Sequence, residues 1–148
     1  MSLSVFDVAD YFLVKSDEEA GDVITNLYLQ KLVYYAQGFS LVFLNRPLFR
    51  EPIEAWSLSP VVKVLFDKYK ALGCNGAIPV PTDVNFRIYS EEEKVLLDNV
   101  YYAYGQYSPW RLKELALKEP TWKDAYGVRP GTEICLASMK RFFSTLVD

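Results

Sequence analysis

The chain has 148 residues, of which 51% are hydrophobic and 24% charged, with a formal net charge of −3 and no histidine. A chain of this length buries about 70% of its unfolded surface, so we expect one globular domain over residues 1–148 rather than a disordered chain. The negative balance gives no electrostatic reason to bind nucleic acid or an anionic membrane. The lack of histidine excludes serine or cysteine catalysis through an imidazole.

Ser4 and Asp7 have the spacing of a capping box and predict a first helix of about three turns, ending near Lys15. An acidic loop over 17–22 follows. The stretch 25–44 is apolar on nearly all sides, so we predict a central helix buried inside the domain. Its main face has helical spacing and comprises Leu29, Leu32, Val33, Ala36, Phe39 and Phe43.

The pattern changes after Pro47, and residues 53–56 alternate as a short extended segment does. Ser59 followed by Pro60 predicts the start of a third helix, with serine as the cap and proline at the first helical position. Gly73 is expected to close this helix. Its predicted buried stripe consists of Val61, Val62, Leu65, Phe66, Tyr69 and Leu72.

A short strand is compatible with the alternation of Val84, Phe86 and Ile88, after which Ser90 and Glu93 form a capping box. The helix opened by this box is expected to end at Gly105 and to bury Leu96, Leu97, Val100, Tyr101 and Tyr104.

The last part of the chain predicts three short helices. Ser108 and Pro109 begin one that Pro120 closes, and Thr121 caps a further turn. Gly131 and Thr132 open the final helix, with Leu136, Met139, Phe143 and Leu146 on one side. The fold class is therefore mainly α: a compact helical domain of five to seven helices around the central helix 25–44, with at most a small β-hairpin or short sheet.

Two cysteines, Cys74 and Cys135, lie far apart and form no CxxC motif, which argues against a zinc site. We expect no metal, no cofactor and no catalytic residues. Isolated cysteines suit a reducing cytoplasm, although a disulfide between them depends on a distance that the sequence does not give. Residues 1–3 lead directly into a predicted cap and no apolar run reaches spanning length, so we expect a cytoplasmic protein without signal peptide or membrane segment.

Several ordered segments resemble the Panacea family, the SocA-like antitoxin domain that is also described as a phage-associated protein family. The similar segments are LQKL at 29–32, YYAQG at 34–38, RPLF at 46–49, IEAW at 53–56 running into SPVV at 59–62, LKEL at 112–115, KEP at 118–120, and Trp122. The chain departs from the family at two places. It has Leu58-Ser59 where the family usually has Tyr-Gly, and Ala116-Leu117 where Thr-His is common.

The resemblance implies an antitoxin-like protein-binding domain that neutralises a paired toxin by direct contact and catalyses no reaction. Some members act as adaptors that deliver the toxin to a protease, so the implied partners are a cognate toxin and a protease. One alternative is a nucleic-acid-binding repressor of its own operon, and another is a phage protein that binds a host factor. The acidic balance and the lack of an appended helix-turn-helix segment argue against the repressor. An enzyme could use paired acids such as Glu51 and Glu54, which are more simply solvated loop residues. A lysine could act as a nucleophile only if burial lowered its pKa, which the sequence does not show.

Gln30 and Lys31 are polar residues in the predicted buried helix, where an unbonded amide or ammonium costs several kcal/mol. In a structural interpretation, Lys31 reaches past Tyr35 toward Glu54 or another acid, and Gln30 ties two backbone segments together. In the alternative interpretation, both residues contact a partner in a groove.

Trp56, Ser59 and Pro60 lie where the extended segment meets the predicted start of the third helix. Free N–H groups at such a helix start receive an anion or a partner's carboxylate. The simpler alternative is a packed tryptophan beside an ordinary cap.

Aromatic residues are the strongest indication of a binding role, because 11 tyrosines, 9 phenylalanines and 3 tryptophans exceed what one core of this size needs. Tyr101 and Tyr102 lie about 100° apart on a helix and cannot both face the core. Tyrosine and tryptophan dominate protein–protein hot spots, and a surplus of them is compatible with self-association. Alternatively, the rings lie flat over helix seams. The candidate partner-contact residues are Gln30, Lys31, Tyr34, Trp56, Ser59, Pro60, Tyr102, Tyr107, Trp110 and Trp122.

A nucleic-acid face is the remaining alternative, since several basic residues lie on the third and last predicted helices. Acidic Asp67 and the negative net charge favour an ordinary solvated face instead. The basic residues concerned are Lys63, Lys68, Lys70, Lys140 and Arg141.

Overall fold

A computed structural model describes residues 3–19, 24–57, 59–73 and 76–147. The described residues form seven α-helices and one two-stranded antiparallel sheet, which confirms the predicted fold class. The elements in chain order are α1 (Val5–Glu19), α2 (Asn26–Phe43), β1 (Ile53–Trp56), β2 (Ser59–Val62), α3 (Lys63–Tyr69), α4 (Glu91–Tyr104), α5 (Pro109–Leu117), α6 (Pro120–Val128) and α7 (Leu136–Ser144), with short 3₁₀ helices at Lys70–Leu72 and Phe86–Ile88. None of these helices is both long and apolar enough to cross a bilayer.

Helix α2 occupies the centre of the fold, as predicted. It is capped by Thr25, whose hydroxyl accepts a hydrogen bond from the Tyr28 amide, and it ends before Asn45, which has a positive φ of 57°. It contacts α1, α3, α4, α5, α7 and β2. Helix α7 approaches α2 so closely that a Cβ added at Gly38 would overlap the buried Phe143 ring. A glycine is therefore required at this crossing.

The segment Ser59–Val62 is a buried strand, so the helix predicted to start at Ser59 and Pro60 is wrong. Helix α3 begins only at Lys63, and Val62 at its N-cap makes no side-chain capping bond. Pro60 lies opposite Ala55 in the antiparallel register. The Ala55 backbone bonds instead to residues 131–132 on its other side, so the N–H that Pro60 lacks is not needed.

Residues 132–134 run along the free edge of β1 after a turn at Gly131, which has a positive φ of 87°, and the last helix does not open at Gly131 and Thr132 as predicted. The Gly131 amide donates to the Ala55 carbonyl at 2.8 Å, and the Ile134 amide donates to the Ile53 carbonyl at 2.7 Å. This pairing satisfies the backbone groups that a helix would otherwise use. Helix α7 starts at Leu136, where Cys135 occupies the N-cap.

Three smaller predictions also differ from the structure. Helix α1 continues past Lys15 to Glu19, and residues 20–22 of the predicted acidic loop lie outside the described residues. The segment 86–88 is a 3₁₀ helix rather than a strand. Pro120 begins α6, in which Thr121 is a buried helical residue rather than the cap. In contrast, the predicted capping boxes at the starts of α1 and α4 are both present.

Candidate partner-binding surface

A buried polar network links α2 to the junction between α5 and α6. The Tyr34 hydroxyl donates to Glu119 Oε1 at 2.6 Å and lies 2.5 Å from the Thr121 hydroxyl, while the Tyr35 hydroxyl donates to Glu119 Oε2 at 2.9 Å. The Tyr104 ring stacks on Tyr35 with centroids 4.0 Å apart. Two sequence segments that carry the family resemblance, 34–38 and 118–120, therefore meet inside the fold.

Burial controls the protonation of this network. It raises the pKa of Glu119 to about 7, against the opposing effect of the two tyrosine hydrogen bonds. Burial, and then the nearby carboxylate, raise the pKa values of Tyr34 and Tyr35 well above the ordinary tyrosine value. Because every hydroxyl here is engaged and Tyr34 and Tyr35 are fully buried, the network connects helices instead of presenting groups to a ligand.

The Lys31 ammonium is buried at the end of a second polar cluster. It donates to Ser59 Oγ at 2.9 Å and to the Leu27 carbonyl at 3.4 Å. It does not pair with Glu54, whose carboxylate accepts from the Trp56 indole at 2.9 Å, so the expected contact with Glu54 is wrong. Burial, with a smaller contribution from the nearby Lys113 charge, lowers the pKa of Lys31 to about 8.

Gln30 ties α2 to two other elements. Its Oε1 accepts from the Val62 amide of β2 at 2.8 Å, and its Nε2 donates to Asn26 Oδ1 at 3.2 Å. The Asn26 amide in turn donates to the Phe66 carbonyl of α3 at 3.1 Å. This geometry matches the structural interpretation of Gln30, in which its amide joins separate backbone segments.

Ser59 and Pro60 are both buried, and the Ser59 hydroxyl donates to the Pro60 carbonyl at 2.7 Å. Because no helix begins here, the anion site expected at a helix start is not formed. Trp56 is half-buried against Phe66, with ring centroids 5.1 Å apart. Trp122, also half-buried, donates its indole N–H to the Trp56 carbonyl at 2.8 Å.

The aromatic patch, which we define as Tyr102, Tyr107 and Trp110, lies on the surface where α4 turns into α5. Tyr102 is 53% exposed and Trp110 is 67% exposed, whereas Tyr101 and Tyr104 pack against the core. Neighbouring tyrosines therefore point in different directions, as their helical spacing predicted.

Hydrogen bonds from other elements hold the turn that carries this patch. The Tyr28 hydroxyl of α2 donates to the Gly105 carbonyl at 2.7 Å and lies 3.3 Å from the Tyr107 carbonyl. The Ser108 hydroxyl caps α5 by accepting from the Arg111 amide at 3.1 Å. The patch is thus presented on a turn that is anchored to the central helix.

Two lysines border the aromatic patch. Lys15 Nζ lies 4.9 Å from the Tyr102 ring centroid and 3.4 Å from an Asp98 carboxylate oxygen. Lys113 Nζ lies 5.4 Å from the Trp110 ring centroid. Both distances are within the range of a cation–π contact.

An apolar groove of about 620 Å³, which the sequence patterns did not predict, runs along α4 beside the C-terminal end of α2. Phe43 and Val95 on its walls are 59% and 57% exposed. Val95 is an apolar residue outside the stripe of α4 that was predicted to be buried, and this position was the sequence signal that could have indicated exposed apolar surface here. Phe43 was wrongly expected to be buried with the rest of the central helix.

The remaining candidates do not form a site in the described part of the chain. Glu51 accepts from the Val5 amide at 3.1 Å, while Glu54 bonds to Trp56, so the two acids do not act as a pair. Lys63 pairs with Asp67 at 2.7 Å, and Lys68 lies 5.2 Å from the Phe6 ring. No group of three or more acids and cysteines among these residues is placed to hold a metal.

Comparison with known proteins agrees with the resemblance found in the sequence. The family model described as antitoxin SocA-like, Panacea domain, matches residues 29–123, from α2 to α6. Antitoxin SocA of Caulobacter vibrioides (strain NA1000 / CB15N) is 46% identical over 50 residues, which cover 34% of this chain and 27% of that protein. No solved structure matches the chain. Since the family model covers more than half of its length, this chain belongs to the antitoxin SocA-like, Panacea domain family.

Proposed function

We propose that this protein is an antitoxin that neutralises a partner toxin by direct contact through the aromatic patch, without performing a reaction. Family membership supports the antitoxin role, and the observation that carries the binding mode is the exposure of Tyr102 on α4 and Trp110 on α5, on either side of an anchored turn. A rigid turn loses little conformational entropy when a partner binds, which favours tight association.

The chemistry of the patch suits a protein partner. Tyrosine and tryptophan provide large apolar area with a polar edge, and they are enriched at interface hot spots. Lys113 beside the Trp110 ring adds a positive charge, which would favour an acidic toxin surface. Gln30, Lys31, Tyr34, Ser59 and Pro60 are buried and would act on binding only by holding the fold together, and Trp56 and Trp122 lie between core and surface.

The proposal is tested by co-expression with the toxin encoded beside this chain. The variant Tyr102→Ser/Trp110→Ser removes both exposed rings, and Val128→Ser, at a 77% exposed position on α6, is the matched control. We expect the double variant to remain folded by circular dichroism but to lose both growth rescue and co-purification with the toxin. The control should retain both.

Rescue by a folded double variant would show that the patch is not the toxin-binding surface.

We further propose that the bound toxin is either blocked directly or presented to a protease, and its half-life in the cell distinguishes these two routes. A stable but inactive toxin indicates blocking. A toxin whose half-life shortens only in the presence of this chain indicates delivery.

A further inference from the structure

We propose that the apolar groove beside α4 binds an amphipathic helix of a partner protein, with its apolar face in the groove and basic residues at one end. This surface is distinct from the aromatic patch, and the inference does not depend on which surface binds the toxin.

The groove has the dimensions of a helix-binding site. Its floor contains Leu96, Val100 and Tyr104, and Phe43 and Val95 project from its walls. Helix α4 has 14 residues, so at 1.5 Å per residue it offers a channel about 20 Å long. An occupying helix of about four turns would match this length.

The outward face of α4 is uncharged where it lines the groove beyond the first turn of the helix. Val95, Asn99 and Ala103 are exposed and spaced four residues apart, which places them in one ridge along the helix. Helices pack by setting such a ridge into the groove of another helix. A large exposed apolar surface of this kind is typical of an interaction site.

The charges at the groove identify the kind of helix that fits. Glu91 and Glu92 are exposed at the end where α4 begins, and no basic residue lines the groove in the described chain. Each carboxylate makes one solvent-exposed ion pair, with Lys94 at 3.6 Å from Glu91 and Arg46 at 3.9 Å from Glu92, and such exposed pairs are weak. Arg46 lies closer to Glu93, at 3.1 Å. Three acids in the first turn of α4 outnumber these two cations, so arginine or lysine at one end of an incoming helix would complement the remaining negative charge.

The same charges disfavour two other occupants. An anionic membrane surface would be repelled by Glu91 and Glu92. A second copy of this chain would present the same α4, whose three first-turn acids outnumber its single base, Lys94. A basic amphipathic helix from a different protein satisfies both the apolar floor and the acidic end.

The test measures binding of labelled synthetic peptides to the full chain by fluorescence anisotropy. The probe is a helical peptide of about four turns, with leucines along one face and arginines at one end. One control peptide has the same composition with the apolar face scrambled, and a second has glutamate in place of arginine. We expect the probe to bind at least about tenfold more tightly than either control, a difference of about 1.4 kcal/mol.

Protein variants locate the binding. Phe43→Ser/Val95→Ser should weaken probe binding about tenfold or more, whereas Val128→Ser should leave it unchanged. Glu91→Gln/Glu92→Gln should weaken binding of the arginine probe and reduce its salt dependence. Because all these side chains are exposed, circular dichroism should show that every variant remains folded. If a double variant unfolds, the corresponding single variants are measured in its place.

Four results would overturn the proposal. The scrambled peptide could bind as well as the probe, or the Phe43→Ser/Val95→Ser variant could bind the probe normally. Sedimentation velocity could instead show a dimer that this variant dissociates, in which case the groove is an interface between two copies. If the chain binds anionic vesicles and this binding depends on Phe43, the groove contacts a membrane surface and not a partner helix.

Discussion

The Glu119 network and the aromatic patch are both built from tyrosines, yet they have opposite environments. In the network, Tyr34 and Tyr35 are fully buried and both hydroxyls donate to one carboxylate. In the patch, Tyr102 exposes half of its side chain. Aromatic content alone therefore does not identify a binding surface. The hydrogen-bond partner of each hydroxyl and the direction of each ring decide whether a tyrosine stabilises the core or is exposed for binding.

Removing a side chain therefore changes stability differently in the Glu119 network and in the aromatic patch. A buried hydroxyl that loses its acceptor retains its desolvation cost without compensation, and this costs about 1–3 kcal/mol for each group. An exposed ring that is removed leaves its neighbours in contact with water, so stability changes little. Substitutions in the network should therefore affect folding, and substitutions in the patch should affect binding.

The largest effect is expected for Glu119→Ala. This change removes the acceptor of two buried tyrosine hydroxyls and leaves a cavity, so we expect the free energy of unfolding to fall by about 3–5 kcal/mol. Urea denaturation measures the change. Glu114→Ala on the neighbouring helix α5, where Glu114 makes only a 3.9 Å contact with Arg111, is the control and should cost under about 1 kcal/mol. Equal losses in the two variants would contradict the structural role of the network.

A smaller effect is expected from pH. The pKa of Glu119 is raised from 4.5 to about 7 in the folded chain, so the folded state holds a proton that the unfolded state has released between these values. Stability contributed by this group should therefore decrease as pH rises from about 4.5 to about 7, by at most about 3 kcal/mol.

Urea denaturation at several pH values tests this sign. The variant Glu119→Gln cannot ionise and should lose the decrease over this window, while other acids contribute equally to both proteins. If the wild type and Glu119→Gln show the same pH dependence, Glu119 does not titrate as its burial indicates.

The smallest effect is expected for the patch. Tyr102→Ser and Trp110→Ser should each change the free energy of unfolding by less than about 0.5 kcal/mol, because both rings are mostly in solvent. Urea denaturation provides the measurement, with Tyr35→Phe as the interior comparison, for which a loss of about 1 kcal/mol or more is expected. A large loss in either patch variant would mean that its ring supports the fold.

Local signals in the sequence predicted most helices well. Ser90 with Glu93 and Ser108 with Pro109 mark true helix starts, because a cap depends on residues within one turn. The same serine–proline pattern failed at Ser59 and Pro60. There, hairpin pairing with β1 decided the conformation, and residues 131–134 pair with the other edge of β1. The hairpin is local but carries the same serine–proline pattern as a helix start, whereas the pairing with residues 131–134 joins segments far apart in the chain and leaves no short-range pattern.

The candidate surfaces show the same division. The crowding of tyrosines and Trp110 in one short stretch predicted the aromatic patch, and helical spacing showed that Tyr101 and Tyr102 must diverge. No pattern indicated that Glu119 would meet Tyr34 and Tyr35, or that the end of α2 would leave a groove beside α4. The domain assignment over residues 1–148 stays a prediction.

The sequence by itself determined the helical character, the central position of α2 and most helix starts, since spacing and capping act within a few residues. Only the tertiary structure decided which polar residues are paired inside and which aromatic rings remain outside. Burial and hydrogen-bond partners depend on distant segments that come together, such as α2 with residues 119–121. For that reason Tyr34 and Tyr102, the same residue type on two helices, are a buried donor and an exposed candidate contact.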